Sequence, residues 1–192
     1  RLGGMKAGEA ARWWSFQPLR SAAPADGGEK AEIDRFIDAG LATSGLTAAP
    51  PADRRTLIRR ATYDLTGLPP TPAEVDAFLR DDSPDAFARV VDRLLDSPHY
   101  GEQWGRHWLD VVRYADTAGE NTDRPLPHMW RYRNWVFDAF NRDVPYADFV
   151  KLQIAGYIVR AGESGAGFSE GIVATGYLAL ARRFGHDSDK DI

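Results

Sequence analysis

Apolar residues recur along this chain at helical spacing, and every element they predict is a helix. Ile33, Phe36, Ile37 and Leu41 follow the three-and-four rhythm of one amphipathic face, with Gly45 as its stop. A second helix is predicted over residues 52–65, with Leu57, Ala61 and Leu65 on its buried side. Arg54, Arg55, Arg59 and Arg60 then fall toward solvent, and Gly67 followed by Pro69 and Pro70 ends it. Thr71-Pro72-Ala73-Glu74 is a capping box with proline at the first helical position, and it opens a short helix through Val75, Phe78 and Leu79.

Ser83-Pro84 is expected to start another helix in the same way, carrying Phe87, Val90, Val91, Leu94 and Leu95, and Ser97-Pro98 the next. Three such starts in close succession predict compact, sharply turned helices. The nearest approach to a strand, 154–159, is short and interrupted by Gly156. Residues 171–180 have enough small and apolar side chains for a final buried helix. The expected fold class is all-α: a compact bundle of short helices over 29–192, preceded by an extended aromatic-containing arm at 1–28.

The arm has no period, yet it carries Trp13, Trp14 and Phe16. Large aromatics in such a segment are expected to lie in a groove, either of this domain or of a partner, which makes all three binding candidates. The first residue is Arg1 and no charged-then-apolar signal segment follows it, the pattern of a mature or clipped piece of something longer.

Composition narrows the function classes. A chain of 192 residues can bury one sizeable core, and 43% hydrophobic with 27% charged residues is ordinary for a globular domain. No apolar run approaches the roughly 20 residues that span a bilayer, so no transmembrane segment is expected. The net charge of −4 argues against a nucleic-acid partner, and most of the 24 basic residues are Arg, which favours planar paired contacts. With no cysteine there is no disulfide, zinc-thiolate site, iron–sulfur cluster, covalently attached c-type haem or cysteine nucleophile in this chain.

Chemistry, if present, concentrates in residues 97–150, which hold half of the aromatics and most of the histidines. On a helical wheel Trp104, Trp108, Val111 and Ala115 form an apolar stripe, the expected core face. Gln103, His107, Asp110 and Tyr114 form a polar stripe beside it. One reading is a structural network in which His107 bonds Asp110 and Tyr114 closes it. The other is a general acid/base pair, with Asp110 fixing the tautomer of His107 and Arg113 clamping an anion.

A metal would need further ligands from Glu120, Asn121, Asp123 or His128; Glu120 and Asp123 are weak candidates for an oxygen-ligated cation, and no metal is otherwise expected. The following helix, 128–141, should bury Met129, Tyr132, Val136, Ala139 and Phe140 and carry Arg131, Trp135 and Asp138 on its flanks, with Arg131 stacked on Trp135. Trp130 and Trp135 are sugar-stacking candidates, with plain core as the competing reading.

Ser97-Pro98-His99-Tyr100-Gly101-Glu102-Gln103-Trp104-Gly105-Arg106-His107-Trp108-Leu109-Asp110, Arg113-Tyr114-Ala115-Asp116, Trp130-Arg131-Tyr132-Arg133-Asn134-Trp135-Val136 and Asn141-Arg142-Asp143-Val144-Pro145-Tyr146 together resemble the planctomycete cytochrome c-associated domain of unknown function. Phe16-Gln17-Pro18, Ile33-Asp34-Arg35-Phe36-Ile37 and the run from Asp53-Arg54-Arg55 to Pro69-Pro70-Thr71-Pro72 extend the resemblance over nearly the whole chain. It implies a domain that follows a c-type cytochrome domain in a large exported protein, with haem expected only in neighbouring regions or partners and no cofactor in this chain. Where the family commonly reads Leu-Ala-Gly-Asp, this chain has Ile154-Ala155-Gly156-Tyr157, so a bulky aromatic stands in place of an acid.

The expected function is therefore a non-catalytic accessory or docking domain in an exported or periplasmic, cytochrome-linked assembly. Its expected partner is a c-type cytochrome or a membrane electron-transfer complex such as a photosynthetic reaction centre. The alternative is part of an exported enzyme or binding protein acting on polysaccharide, with His107 and Asp110 at the site.

Overall fold

A computed structural model describes residues 8, 11–18, 32–117 and 125–180, and divides the chain into two units, Arg1–Pro51 and Ala52–Ile192. The first unit holds a 3-10 turn, Trp14–Phe16, and helix α1, Glu32–Thr43. Gly45, at φ 66°, follows that helix in the left-handed conformation expected of a helix stop.

The second unit contains α2 (Arg54–Thr66), α3 (Pro72–Arg80), α4 (Ala86–Leu95), α5 (Pro98–Val111), α6 (Trp130–Asn141), α7 (Tyr146–Val159) and α8 (Ala166–Ala174), which runs into a 3-10 segment, Thr175–Leu180. Among the described residues the only β pairing is one isolated bridge, Thr117 to Pro125. The all-α expectation holds.

Local chemistry explains the first three of these helices. The Asp53 carboxylate accepts the Thr56 N–H at 2.9 Å and caps α2, and Gly67, left-handed at φ 71°, closes it. Thr71 and Glu74 form the reciprocal capping box, with Pro72 at the first helical position of α3. Ser83-Pro84 does not cap α4 as expected. Ser83 bonds back to Asp81 instead, Ala86 N–H bonds the Ser83 carbonyl at 3.1 Å as a single turn, and the regular helix starts only after it.

Helices α2 to α4 enclose a small core of Ile58, Phe78, Ala86, Val90 and Leu94. Arg54 lies 4.2 Å over the Phe78 ring and donates to the Phe78 and Asp81 carbonyls, so its guanidinium closes the end of that core.

Carboxylates tie the turns of this half together. Hydrogen bonds from Ser83 and Arg89 hold Asp81 down at about 2, the Thr56 N–H lowers Asp53, and the Thr71 N–H lowers Glu74, which also pairs with Arg93. A carboxyl whose folded pKa lies below its unfolded value adds stability that is complete above the unfolded value and lost as pH falls through the folded one. The thermal midpoint is thus expected to be flat above the carboxylate range and to drop as pH falls from 3.8 toward about 2, with Asp81→Asn flattening part of that slope. A midpoint that stays level down to pH 2 would contradict these assignments.

Helix α5 packs on α2 on one side and on α6 on the other. Its buried face is Gly101, Gly105 and Leu109, with Trp108 and Val112 beside them. The expected stripe is rotated away from this: Val111 is 74% exposed and Trp104 38%. Glycine decides the matter. A Cβ on Gly105 would lie 2.5 Å from Phe137 Cδ1, and one on Gly101 would overlap the Phe137 carbonyl oxygen. The two helices meet too closely for a tryptophan between them. Asn141 fixes the crossing by accepting the Gly101 N–H at 2.7 Å and donating to the Pro98 carbonyl at 3.2 Å.

The larger core joins Leu109, Met129, Tyr132, Trp135, Val136, Ala139, Phe149, Leu152 and Ala174. Trp135 stacks on Phe149 with ring centroids 5.2 Å apart, and Trp108 meets Phe149 edge-on at 4.9 Å. Residues 154–159 form the last part of α7, which kinks at Ala155 (φ −141°, ψ 29°). Gly156 there lies against Gly171 of α8, where a Cβ on Gly171 would sit 2.5 Å from the Gly156 carbonyl oxygen. The last elements are less buried than expected: Ile172, Tyr177 and Leu178 all face solvent.

Candidate functional site

The polar stripe of α5 does not assemble. His107 and Asp110 are both exposed, and among the described residues no hydrogen bond or ion pair joins them. The His107 ring instead lies 5.5 Å from that of Trp104. Gln103 is half-buried beside Gly67. Arg113 is exposed at φ 56°, in the turn that ends α5, where the Tyr114 N–H reaches back to the Leu109 carbonyl at 2.9 Å. Tyr114 stacks on Tyr132 at 6.4 Å and donates its hydroxyl to Asp116. Burial, followed by the Asp116 carboxylate, pushes the Tyr114 hydroxyl far above its ordinary range, which keeps it neutral. Among the described residues the anticipated network of His107, Asp110 and Tyr114 does not form, and the Tyr114 hydroxyl is engaged by Asp116, two residues on, beyond the end of the helix.

The aromatic candidates separate by burial. Trp13, Trp14 and Phe16 are exposed in the first unit, and Trp130 is exposed in the second with Arg131 at 5.5 Å over its ring. Trp135 is 5% exposed, so it is core rather than flank, and Arg131 stacks on Trp130 and not on it. The Trp135 indole N–H instead donates to Glu170 at 3.3 Å, and Glu170 also pairs with Arg142 and Arg160. Burial works to raise the Glu170 carboxyl, but the Arg142 hydrogen bond and the nearby positive charges hold it below its ordinary value. Glu120 and Asp123 lie outside the described residues. Among those described, no group of three or more histidine, aspartate or glutamate side chains is placed to hold a metal, and no helix is long and apolar enough to cross a membrane.

Two clefts lie around α6 and α7. One, of about 310 Å³, is lined by Arg142, Lys151 and Arg160 against Asp148, Glu163 and Glu170, and these charges largely pair with one another. The other, of about 370 Å³, is lined by five aromatic rings, Tyr100, Trp108, Phe140, Tyr146 and Phe149, with Asp143 as its one charged residue. Neither is lined by His107 or Asp110.

The aromatic cleft is pre-organised from below. The Trp108 indole N–H is shared between Gln153 Oε1 at 3.0 Å and the Tyr132 hydroxyl at 3.2 Å. Tyr132 donates to the same Gln153 oxygen at 2.6 Å, and Gln153 Nε2 donates to the Phe149 carbonyl at 3.1 Å. Gln153 is 2% exposed, so these bonds are made out of water, and the desolvated Tyr132 hydroxyl is pushed up to about 12. The lining residues of this cleft all fall within 97–150, whereas Gln153 beneath them lies just beyond that stretch. Gln153 carried no signal, because a lone glutamine among apolar residues reads as an interruption of the helix face.

At the rim, Asp143 occupies the left-handed region at φ 48°. The chain turns there from α6 into α7, with the Val144 N–H bonded to the Ala139 carbonyl at 3.0 Å. Glycine is the usual residue at such a helix end, so an aspartate there carries a carboxylate to the cleft at some backbone cost.

What the fold and site define is an all-α domain with an aromatic core and no assembled catalytic set among its described residues. The profile of the PSCyt2 family, described as a protein of unknown function (DUF1549), matches residues 32–191, and the chain belongs to that family. No curated protein and no solved structure matches it.

Proposed function

We propose that this chain is a non-catalytic docking domain of an exported, cytochrome-linked electron-transfer assembly. The observation that carries the docking part is the set of apolar side chains that 154–178 holds in solvent: Ile154, Tyr157, Ile158, Val159, Phe168, Ile172, Tyr177 and Leu178. Scattered exposed hydrophobics are ordinary, but such a concentration on consecutive elements is the composition of an interface. Tyr157, which stands where the family resemblance leads one to expect an acid, is one of these exposed residues. It contributes contact area where an acid would have contributed charge.

Against a reaction, His107 and Asp110 are both exposed, and among the described residues no hydrogen bond or ion pair orients the imidazole. The cytochrome link and the exported setting rest on the family resemblance of the sequence. The partner in this reading is a c-type cytochrome or a membrane electron-transfer complex that carries the haem. Ile158→Asp is expected to weaken retention of the purified chain on native envelope fractions by about tenfold, the effect of losing one well-packed interface side chain. His107→Ala should leave retention unchanged. Equal retention of the Ile158→Asp variant and the parent chain would overturn the docking surface.

A further inference from the structure

We infer that the aromatic cleft between α5, α6 and α7 receives a basic side chain, arginine or lysine, of a protein partner, an inference that rests on the docking reading above. The lining discriminates among four ligand chemistries. An anion finds no Lys or Arg there; Arg142, adjacent in sequence to Asp143, is paired with Glu170. A neutral apolar group would strip water from the Asp143 carboxylate and return nothing for it. A sugar needs a dense set of hydrogen-bonding partners, whereas the Trp108 N–H is spent inward on Gln153 and Tyr132, leaving the Asp143 carboxylate and two tyrosine hydroxyls.

A cation on an apolar stem fits each of these features. Its apolar stem matches the aromatic lining, and Asp143, the one charged residue there, supplies the counter-charge. Asp143 is exposed, and no hydrogen bond or ion pair joins its carboxylate to a described residue. Helix dipoles do not decide the sign, because the C-terminus of α6 and the N-terminus of α7 meet at this turn and offset one another. Tyr146, 72% exposed, is one of the residues that line the cleft and is accessible to an inserted stem.

The test is an NMR titration of the full chain, labelled at tryptophan, with N-acetyl-arginine amide. Saturable shifts of the Trp108 indole signal in the millimolar range are expected, weakened about fivefold or more by Asp143→Asn. Asparagine adopts the left-handed conformation readily, so that variant keeps the turn. Tyr146→Ala, at an exposed position, should weaken the same response without affecting folding. N-acetyl-citrulline amide, which keeps the shape and loses the charge, should give no saturable shift. Equal shifts from the citrulline amide overturn the inference, as does saturation by methyl glucoside with no response to the arginine amide, which would mark a sugar subsite. If the arginine amide gives no saturable shift while retention on the envelope still depends on Ile158, this inference falls and the docking reading stands.

Discussion

Gly156→Ala is expected to destabilise the second unit by about 3 kcal/mol or more, although it adds one methyl group to a small residue. The α7 and α8 backbones touch at Gly156 and Gly171, and the new Cβ would overlap the Gly171 carbonyl oxygen. Overpacking against a side chain is relieved by a rotamer change, but a carbonyl oxygen moves only with its helix. Separating the two helices would also loosen Ala174, which is fully buried in the larger core. Gly162→Ala is the internal control, since a Cβ there meets nothing within 4 Å. Urea unfolding of both variants checks the claim. Equal midpoints for the two would show that the helices do not cross at the glycines.

Gln153→Ala should cost about 3 kcal/mol, for a different reason. The change opens a cavity and removes the acceptor shared by half-buried Trp108 and buried Tyr132. Tyr132→Phe removes one donor and leaves the Trp108 to Gln153 bond in place, so about 1 kcal/mol is expected. The ordering of the two variants in denaturant unfolding tests whether Gln153 is the hub. A Tyr132→Phe loss equal to or larger than that of Gln153→Ala would place the hub elsewhere. Because Trp108 is a wall of the aromatic cleft, Gln153→Ala should also broaden its indole signal.

Elements whose ends are set by local chemistry were legible in the sequence. Thr71 with Glu74, Gly67 and Gly45 each act within a few residues of themselves, and each sits where its type and spacing predict, whereas Asp53, expected inside the helix that starts at 52, caps it instead. Ser83-Pro84 shows the limit of such signals, because Asp81, two residues upstream, captures the serine that would have capped α4.

Helix faces were harder. The wheel for α5 gave its inner face to Trp104, since hydrophobicity assigns no weight to glycine, whereas the real seam is Gly101 and Gly105 against Phe137. Trp135 was misplaced for a related reason. Its partners, Phe149 and Glu170, come from elements later in the chain, and nothing in its own helix announces them.

The site followed the same division. His107, Asp110 and Tyr114 share a stripe by spacing, but a stripe is only a direction, and the partners that would turn it into a site are absent from the described residues around it. Asp143 and Gln153 have the stronger claim to purpose. Gln153 is defined by contacts that arise only when α5, α6 and α7 are brought together, and Asp143 by the local turn that joins α6 to α7.

The central claim, docking without catalysis in a haem-linked assembly, is tested most directly by photo-cross-linking in native envelopes. A photoreactive side chain would replace Ile158 in one variant and His107 in another, and adducts would be stained for covalently bound haem. The account predicts a haem-positive adduct from position 158 and none from position 107. A haem-negative adduct from 158, or no adduct there at all, would contradict it.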